Sequence, residues 1–187
     1  MESIILMGIK HCGKSAQGKL LSQKLSLPFY DIDDLISEYN KMSPREIYTS
    51  KGEEGFKEAE ADACKKLADL LAEKKQDAVI ATGGGICNNK KALDILHPLG
   101  KFIFLCTPEK TAADRIMREA KKGKDGKPEN LPAYIAKKNP CSIEEARTIF
   151  HDFYVERISI YESIADEKVI MKDAPKNVNT DQIIAVI

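Results

Sequence analysis

The apolar residues of the chain fall into two patterns. Short uninterrupted runs occur at SIILM (3–7), LPFYDI (27–32), DAVIAT (77–82), KFIFLC (101–106) and EKVIM (167–171). Such runs predict strands covered on both faces. Elsewhere apolar positions recur every three or four residues, as at Ala16, Leu20, Leu21 and Leu25, and from Phe56 through Ala59, Ala63, Leu67, Leu70 and Leu71. That period predicts helices over 14–25 and 53–75. Start signals mark others. Ser43-Pro44-Arg45-Glu46 combines a capping residue, an early proline and a glutamate three positions on, and Ser142 to Glu145 opens a helix to about Ala165 in the same way. Asn88 and Asn89 can cap a helix ending near Leu96, Thr107-Pro108-Glu109 starts one running to about Lys121, and DQIIAVI (181–187) reads as a closing helix.

Strands alternating with helices predict an α/β fold, a five-stranded parallel sheet with helices on both faces. One stretch breaks the pattern. KKGKDGKPENLPAYIAKKNP (121–140) is basic, carries Gly and Pro and has no period, so it is expected to be a mobile surface insert.

Composition narrows the function classes. At 187 residues, 43% hydrophobic and 31% charged, the chain suits one domain, 1–187, with an insert. Its 29 basic residues balance 29 acidic ones, which argues against a broad nucleic-acid footprint. No apolar run approaches the roughly 20 residues that span a bilayer, so no membrane role is expected. MESIILMGIK lacks a basic leader and a cleavage site and reads as a strand. Five scattered cysteines without a CxxC pair suggest reduced thiols in a cytoplasm.

In parallel sheets ligands bind beyond the carboxyl ends of the strands. Three unusual segments fall at those ends. The first is GIKHCGKSA (8–16), a G-x-x-x-x-G-K-S pattern between a predicted strand and a predicted helix. In that context backbone N–H groups and the helix N-terminus cradle phosphates, so Gly8, Lys10, His11, Cys12, Gly13, Lys14, Ser15 and Ala16 are the candidate nucleotide loop. Lys14 would reach the β and γ phosphates and Ser15 would ligate Mg²⁺. His11 either touches a phosphate or fills the loop surface, the second being favoured. Cys12, beside a helix N-terminus and a lysine, is in surroundings that lower a thiol pKa, and its oxidation is expected to block nucleotide binding. His97 and His151 have no ligand-type neighbours in sequence and read as structural.

The second segment is Asp31-Ile32-Asp33-Asp34. Phosphoryl transfer needs one carboxylate near the metal and another near the acceptor hydroxyl. On an extended strand Asp31 and Asp33 point the same way, while Asp34 is expected to cap the next helix. The third is Gly83-Gly84-Gly85, which permits positive φ and close approach of a ligand to the backbone, or makes a tight turn.

GIKHCGKS, FYDIDD, GEEGFKEAE, ATGGG and ERISIYESIAD occur in this order from residue 4 to about 170. In that arrangement the chain resembles shikimate kinase, of the nucleoside-monophosphate-kinase-like group of P-loop kinases. The resemblance implies a three-layer P-loop kinase fold, an acceptor-binding helical segment at about 33–62 and a mobile lid at about 119–141. It implies a monomeric ATP- and Mg²⁺-dependent enzyme acting on the 3-hydroxyl of shikimate. By matching position, Lys14 stabilises the transferring group and Ser15 binds Mg²⁺, with Asp31 holding the metal through water. Asp33 binds the acceptor hydroxyl as the base, and Gly83, Gly84 and Gly85 line the acceptor pocket. Arg157, followed by Tyr161, pairs with the acceptor carboxylate, and Arg118 lies where the family has an adenine-contacting arginine.

The chain departs from the family at three motif positions, and its segment between Pro128 and Arg157 is longer than the family's. Lys57 stands where arginine is usual, Lys127-Pro128 stands where the lid carries arginine before proline, and His11-Cys12 replaces glycine and a small residue. Lysine keeps the charge but loses the planar fork. The alternatives are a gluconate-like or nucleoside monophosphate acceptor, or a catalytically silent nucleotide binder.

Overall fold

The computed structural model describes residues 2–123 and 126–187; Met1, Lys124 and Asp125, the last two in the expected lid, lie outside them. The strands are β1 (Ser3–Met7), β2 (Phe29–Asp31), β3 (Val79–Ala81), β4 (Gly100–Cys106), β5 (Lys121–Lys122), β6 (Pro128–Glu129) and β7 (Glu167–Ile170). Five of them form a parallel sheet in the order β2-β3-β1-β4-β7, with Ile4 opposite Val79 on one side and Lys101 on the other. All five β1 side chains are buried, as are Phe102 to Leu105 of β4. Since successive side chains point to opposite faces, a strand buried at every position is covered on both.

The helices are α1 (Lys14–Leu25), α2 (Ile32–Asn40), α3 (Pro44–Lys74), α4 (Lys90–Leu96), α5 (Glu109–Glu119), α6 (Ala133–Ala136), α7 (Ile143–Ile164) and α8 (Lys176–Ile184). α1 packs on β3 and α8, α3 packs on α2 and α4, and α5 packs on α7. The fold class is as expected. Local outcomes differ in several places.

The helices expected from Ser43 and from Glu53 form one element, α3, broken at Gly52 (φ 72°, ψ −170°). That left-handed φ favours glycine and lets the chain change direction without unravelling either half. Ser43 caps the first half with the predicted capping box. β2 ends at Asp31, whose side chain accepts from Asp33 N at 3.0 Å and so caps α2. Asp31, not Asp34, is therefore the cap, and Asp33 lies on a helix rather than an extended strand. The closing helix begins at Lys176 after Pro175, five residues earlier than expected, and ends at Ile184.

The 119–141 segment has regular structure that its composition concealed. β5 and β6 pair antiparallel, Gly126 turns between them at φ 82°, and α6 follows. His151, expected to lack a partner, has Nδ1 2.8 Å from Glu109 Oε1, a contact that bridges α7 to α5.

Candidate active site

The loop after β1 delivers its residues beyond the carboxyl edge of the sheet. Gly13 precedes α1 at φ 103°, and α1 has neither a capping side chain nor an acidic residue in its first turn. Its leading N–H groups and its positive dipole end are thus left for an anion. Lys14 is buried and donates from Nζ to the carbonyls of Gly8 (2.8 Å) and Ile9 (3.0 Å), which draws it across the bowl of the loop. Ser15 Oγ donates to Asp31 Oδ2 at 2.5 Å, joining the start of α1 to the start of α2.

Cys12 corrects an expectation. It is fully buried, and its Sγ lies 3.7 Å from Lys14 Nζ on the inner side of the loop. Packing puts it out of reach of solvent oxidants, so surface reactivity is not its role. His11 adopts φ 64° and has Nε2 3.2 Å from Glu119 Oε2. Burial lowers its pKa first; Glu119 opposes that, and Lys10, Lys14 and Arg115 reinforce it.

The three glycines meet three different parts of the site in succession. A Cβ on Gly83 would stand 2.8 Å from Glu60 Oε1 and 3.1 Å from Asp33 Oδ1. One on Gly84 would stand 2.9 Å from Lys10 N, and one on Gly85 would stand 3.5 Å from Arg157 Nη1. None of the three has positive φ. Close approach, rather than left-handed backbone, is what excludes side chains at Gly83 and Gly84, whereas a Cβ on Gly85 would only touch Arg157. The triple glycine is the junction where the carboxylates, the phosphate loop and the α7 cation come together.

Arg157 donates from Nη1 to Gly84 O, and Tyr161 OH donates to the same carbonyl at 3.0 Å. The spacing R-x-x-x-Y therefore serves one acceptor atom from successive turns of α7. Lys57 has Nζ 3.1 Å from both Glu53 and Glu54. Its charge is matched on its own helix, which the planar fork of an arginine would do differently.

Glu60 is the residue that sequence reasoning left without a role. It ends the motif GEEGFKEAE and is 1% exposed. Its Oε2 accepts from Asn89 Nδ2 at 2.9 Å, while Oε1 has no hydrogen-bond partner among the described residues. Burial pushes its carboxyl up to about 7, against the Asn89 hydrogen bond. Asp33 is also raised, by burial first and then by the charge of Asp31.

These groups open on a cavity of about 1100 Å³. Its lining includes the predicted residues Lys10, His11, Gly13, Lys14, Ser15 and Ala16 from the loop. It also includes Asp31, Asp33, Lys57, the three glycines, Arg118 and Arg157. Gly8, Cys12 and Lys127 are not part of the lining; Gly8 and Cys12 lie beneath it, and Lys127 belongs to the β5–β6 turn, where its carbonyl accepts from Gly123 N. The cavity has further cations that were not foreseen, Arg45, Arg115, Lys137 and Lys138. Arg115 precedes Arg118 by one helical turn, and that spacing was its available signal. It donates to His11 O at 3.0 Å. Tyr48, Phe56, Tyr134 and Phe153 add an aromatic wall.

The oxygen donors suit magnesium. Ser15 and Asp31 offer one hydroxyl and one carboxylate at hydrogen-bond distance from each other, and Mg²⁺ is held by few protein oxygens together with phosphates and water. Among the described residues no cluster of three or more His, Cys, Asp or Glu forms a self-sufficient metal cage.

A glycine loop leading from the central strand into an uncapped helix, facing paired carboxylates across a basic cavity, defines a phosphotransferase of the P-loop kinase fold. A family model described as shikimate kinase matches residues 10–187. The chain is 33% identical to a shikimate kinase of Aquifex aeolicus over 94% of this chain and 90% of that one. It is 32% identical to one of Francisella tularensis subsp. novicida over 88% and 82%. A shikimate kinase from Acinetobacter baumannii, solved in complex with shikimate, superposes with a TM-score of 0.79 over 98% and 91% at 21% identity, a likeness of fold. The chain belongs to the shikimate kinase family.

Proposed function

We propose that the protein transfers the γ-phosphoryl group of ATP to the 3-hydroxyl of shikimate, giving shikimate 3-phosphate for aromatic amino-acid synthesis. The observation that carries the reading is the triple-glycine junction. It brings Asp33, the phosphate loop and Arg157 within one small acceptor's reach.

The reaction asks for positioning and charge neutralisation more than for covalent chemistry. Lys14 exchanges its loop carbonyls for β and γ phosphate oxygens, and the free N–H groups of α1 hold the remainder. Ser15 and Asp31 would hold Mg²⁺, which supplies neutralisation of charge on the β and γ oxygens. Asp33 accepts the proton of the attacking hydroxyl; its raised pKa makes it a stronger base than an ordinary carboxylate. Arg157 pairs with the carboxylate of the acceptor, Lys57 adds charge at longer range, and Gly83 to Gly85 form the floor. Arg118 serves the adenine side and Lys127 the phosphates, on closure of the 119–141 segment as a lid within a single domain. We further infer a monomer acting in the cytoplasm, a compartment that suits five free cysteines.

The pairing of Lys57 with Glu53 and Glu54 favours a second reading, a P-loop kinase whose acceptor has shifted. The test is ADP release with ATP and Mg²⁺, with and without shikimate, beside gluconate, quinate and nucleoside monophosphates. Shikimate-dependent turnover at ordinary kinase rates supports the first reading. Nucleotide binding with turnover on another acceptor only supports the second and overturns the first.

A further inference from the structure

Phe153 lies one turn before Arg157 on α7, so their side chains share a face. The Arg157 guanidinium carbon stands 4.0 Å from the centre of the Phe153 ring. The Tyr134 ring stacks on the same ring with centroids 3.6 Å apart and planes 6° from parallel. Two groups this close to one centroid cannot occupy one face of it. Phe153 is therefore sandwiched, with the cation on one side and the phenol ring on the other.

Hydrogen bonds alone do not hold the guanidinium in one plane. Nη1 donates to Gly84 O, but the buried Nε has no hydrogen-bond partner among the described residues. A guanidinium held by its own side chain at Nε and by one hydrogen bond at Nη1 can still tilt about the line between them unless a flat surface lies against it. The Phe153 ring is that surface, and Tyr134 keeps the ring from tilting away. Tyr134 belongs to α6, in the segment between α5 and α7, so the stack also ties that segment to the cation.

We propose that Phe153, backed by Tyr134, is a positioning residue for acceptor binding: it sets the plane in which Arg157 offers its fork to the acceptor's carboxylate. The inference rests on the reading of Arg157 as the acceptor's cation. Lys57 is matched by two glutamates, so Arg157 carries most of the anion's recognition, and orientation matters more than it would in a site with two free forks.

Phe153→Leu keeps an apolar side chain and removes the ring. The KM for shikimate rises about fivefold to tenfold, as expected for loss of a partly desolvated cation–π contact. kcat stays within about twofold and the KM for ATP is unchanged, which also reports an intact fold. Phe153→Tyr retains the ring and restores the KM, and Tyr134→Leu shifts it in the same direction by a smaller factor. Shikimate affinity measured by calorimetry follows the same order. A wild-type KM in Phe153→Leu, or equal impairment of Phe153→Leu and Phe153→Tyr, overturns the proposal. Wild-type protein without shikimate turnover overturns instead the acceptor reading beneath it.

Discussion

Glu60 and Asp33 converge on Gly83, their carboxylate oxygens 2.8 and 3.1 Å from where a Cβ would stand. Burial disfavours the ionised form of Glu60 above all, and the charge of Asp33 adds to it. Glu60 yields, its pKa lifted from an ordinary 4.5 to about 7. A folded-state pKa raised above the unfolded one means stability that is fully present below about pH 4.5 and lost as pH rises through about 7. The shift corresponds to about 3 kcal/mol. Glu60→Gln is therefore expected to raise Tm by roughly 6–10 °C at pH 8 and to change it little at pH 4.5. Thermal melts at the two pH values check this; an equal effect at both contradicts it.

Under the proposed mechanism Asp33→Asn removes the proton acceptor and leaves the shape of the pocket. kcat is expected to fall about 100-fold or more, with the KM for ATP within about twofold of wild type. Steady-state kinetics on both substrates measure this. Turnover near wild type would remove Asp33 from the role of base.

How much of this was legible beforehand depended on how local each feature is. Lys14 and Ser15 lie in the cavity where the motif put them, because the loop, strand and helix that position them lie within some twenty residues. Asp31 lies at the strand end as expected, but Asp33 lies on a helix rather than on extended chain. The cap made by the Asp31 side chain ends the strand one residue early and starts the helix at Ile32, and a hydrogen bond of that kind is not visible in apolar periodicity. Glu60 was in plain sight within a motif, yet its importance comes from burial against Asn89 and Gly83, contacts made across the fold. The Tyr134–Phe153 stack joins two helices whose approach only tertiary structure reveals.

Arg157 and Lys57, the two cations proposed for the acceptor side, are expected to contribute unequally. Arg157 is held by Gly84 O and an aromatic face, whereas Lys57 already has two carboxylates at 3.1 Å. Arg157→Ala is expected to raise the KM for shikimate about 10- to 150-fold, the range for a lost charge-assisted hydrogen bond. Lys57→Ala is expected to raise it less than about fivefold, since exposed ion pairs are weak. Comparable losses in both variants would show that Lys57 leaves its glutamates when the acceptor binds.

Thiol chemistry follows exposure. Cys12, Cys64 and Cys87 are buried, Cys106 is half-buried and Cys141 is exposed. A bulky disulfide reagent is expected to modify Cys141 first, with nucleotide binding unchanged at one label per chain. Peptide mapping of the labelled protein identifies the site. Early modification at Cys12 would contradict the packing of the loop.

The placing of the first strand has a consequence for the chain during its synthesis. Ser3–Met7 is the middle of the sheet, but its neighbours begin to pair with it only at residues 79 and 100. At ribosomal speeds the wait is on the order of 5–20 seconds. Throughout it, an apolar pentapeptide has no neighbour along either of its hydrogen-bonding edges, and an open apolar edge is a template for other chains. The nascent polypeptide is therefore more open to pairing with other chains at this strand than the folded protein, in which β3 and β4 occupy both of its edges.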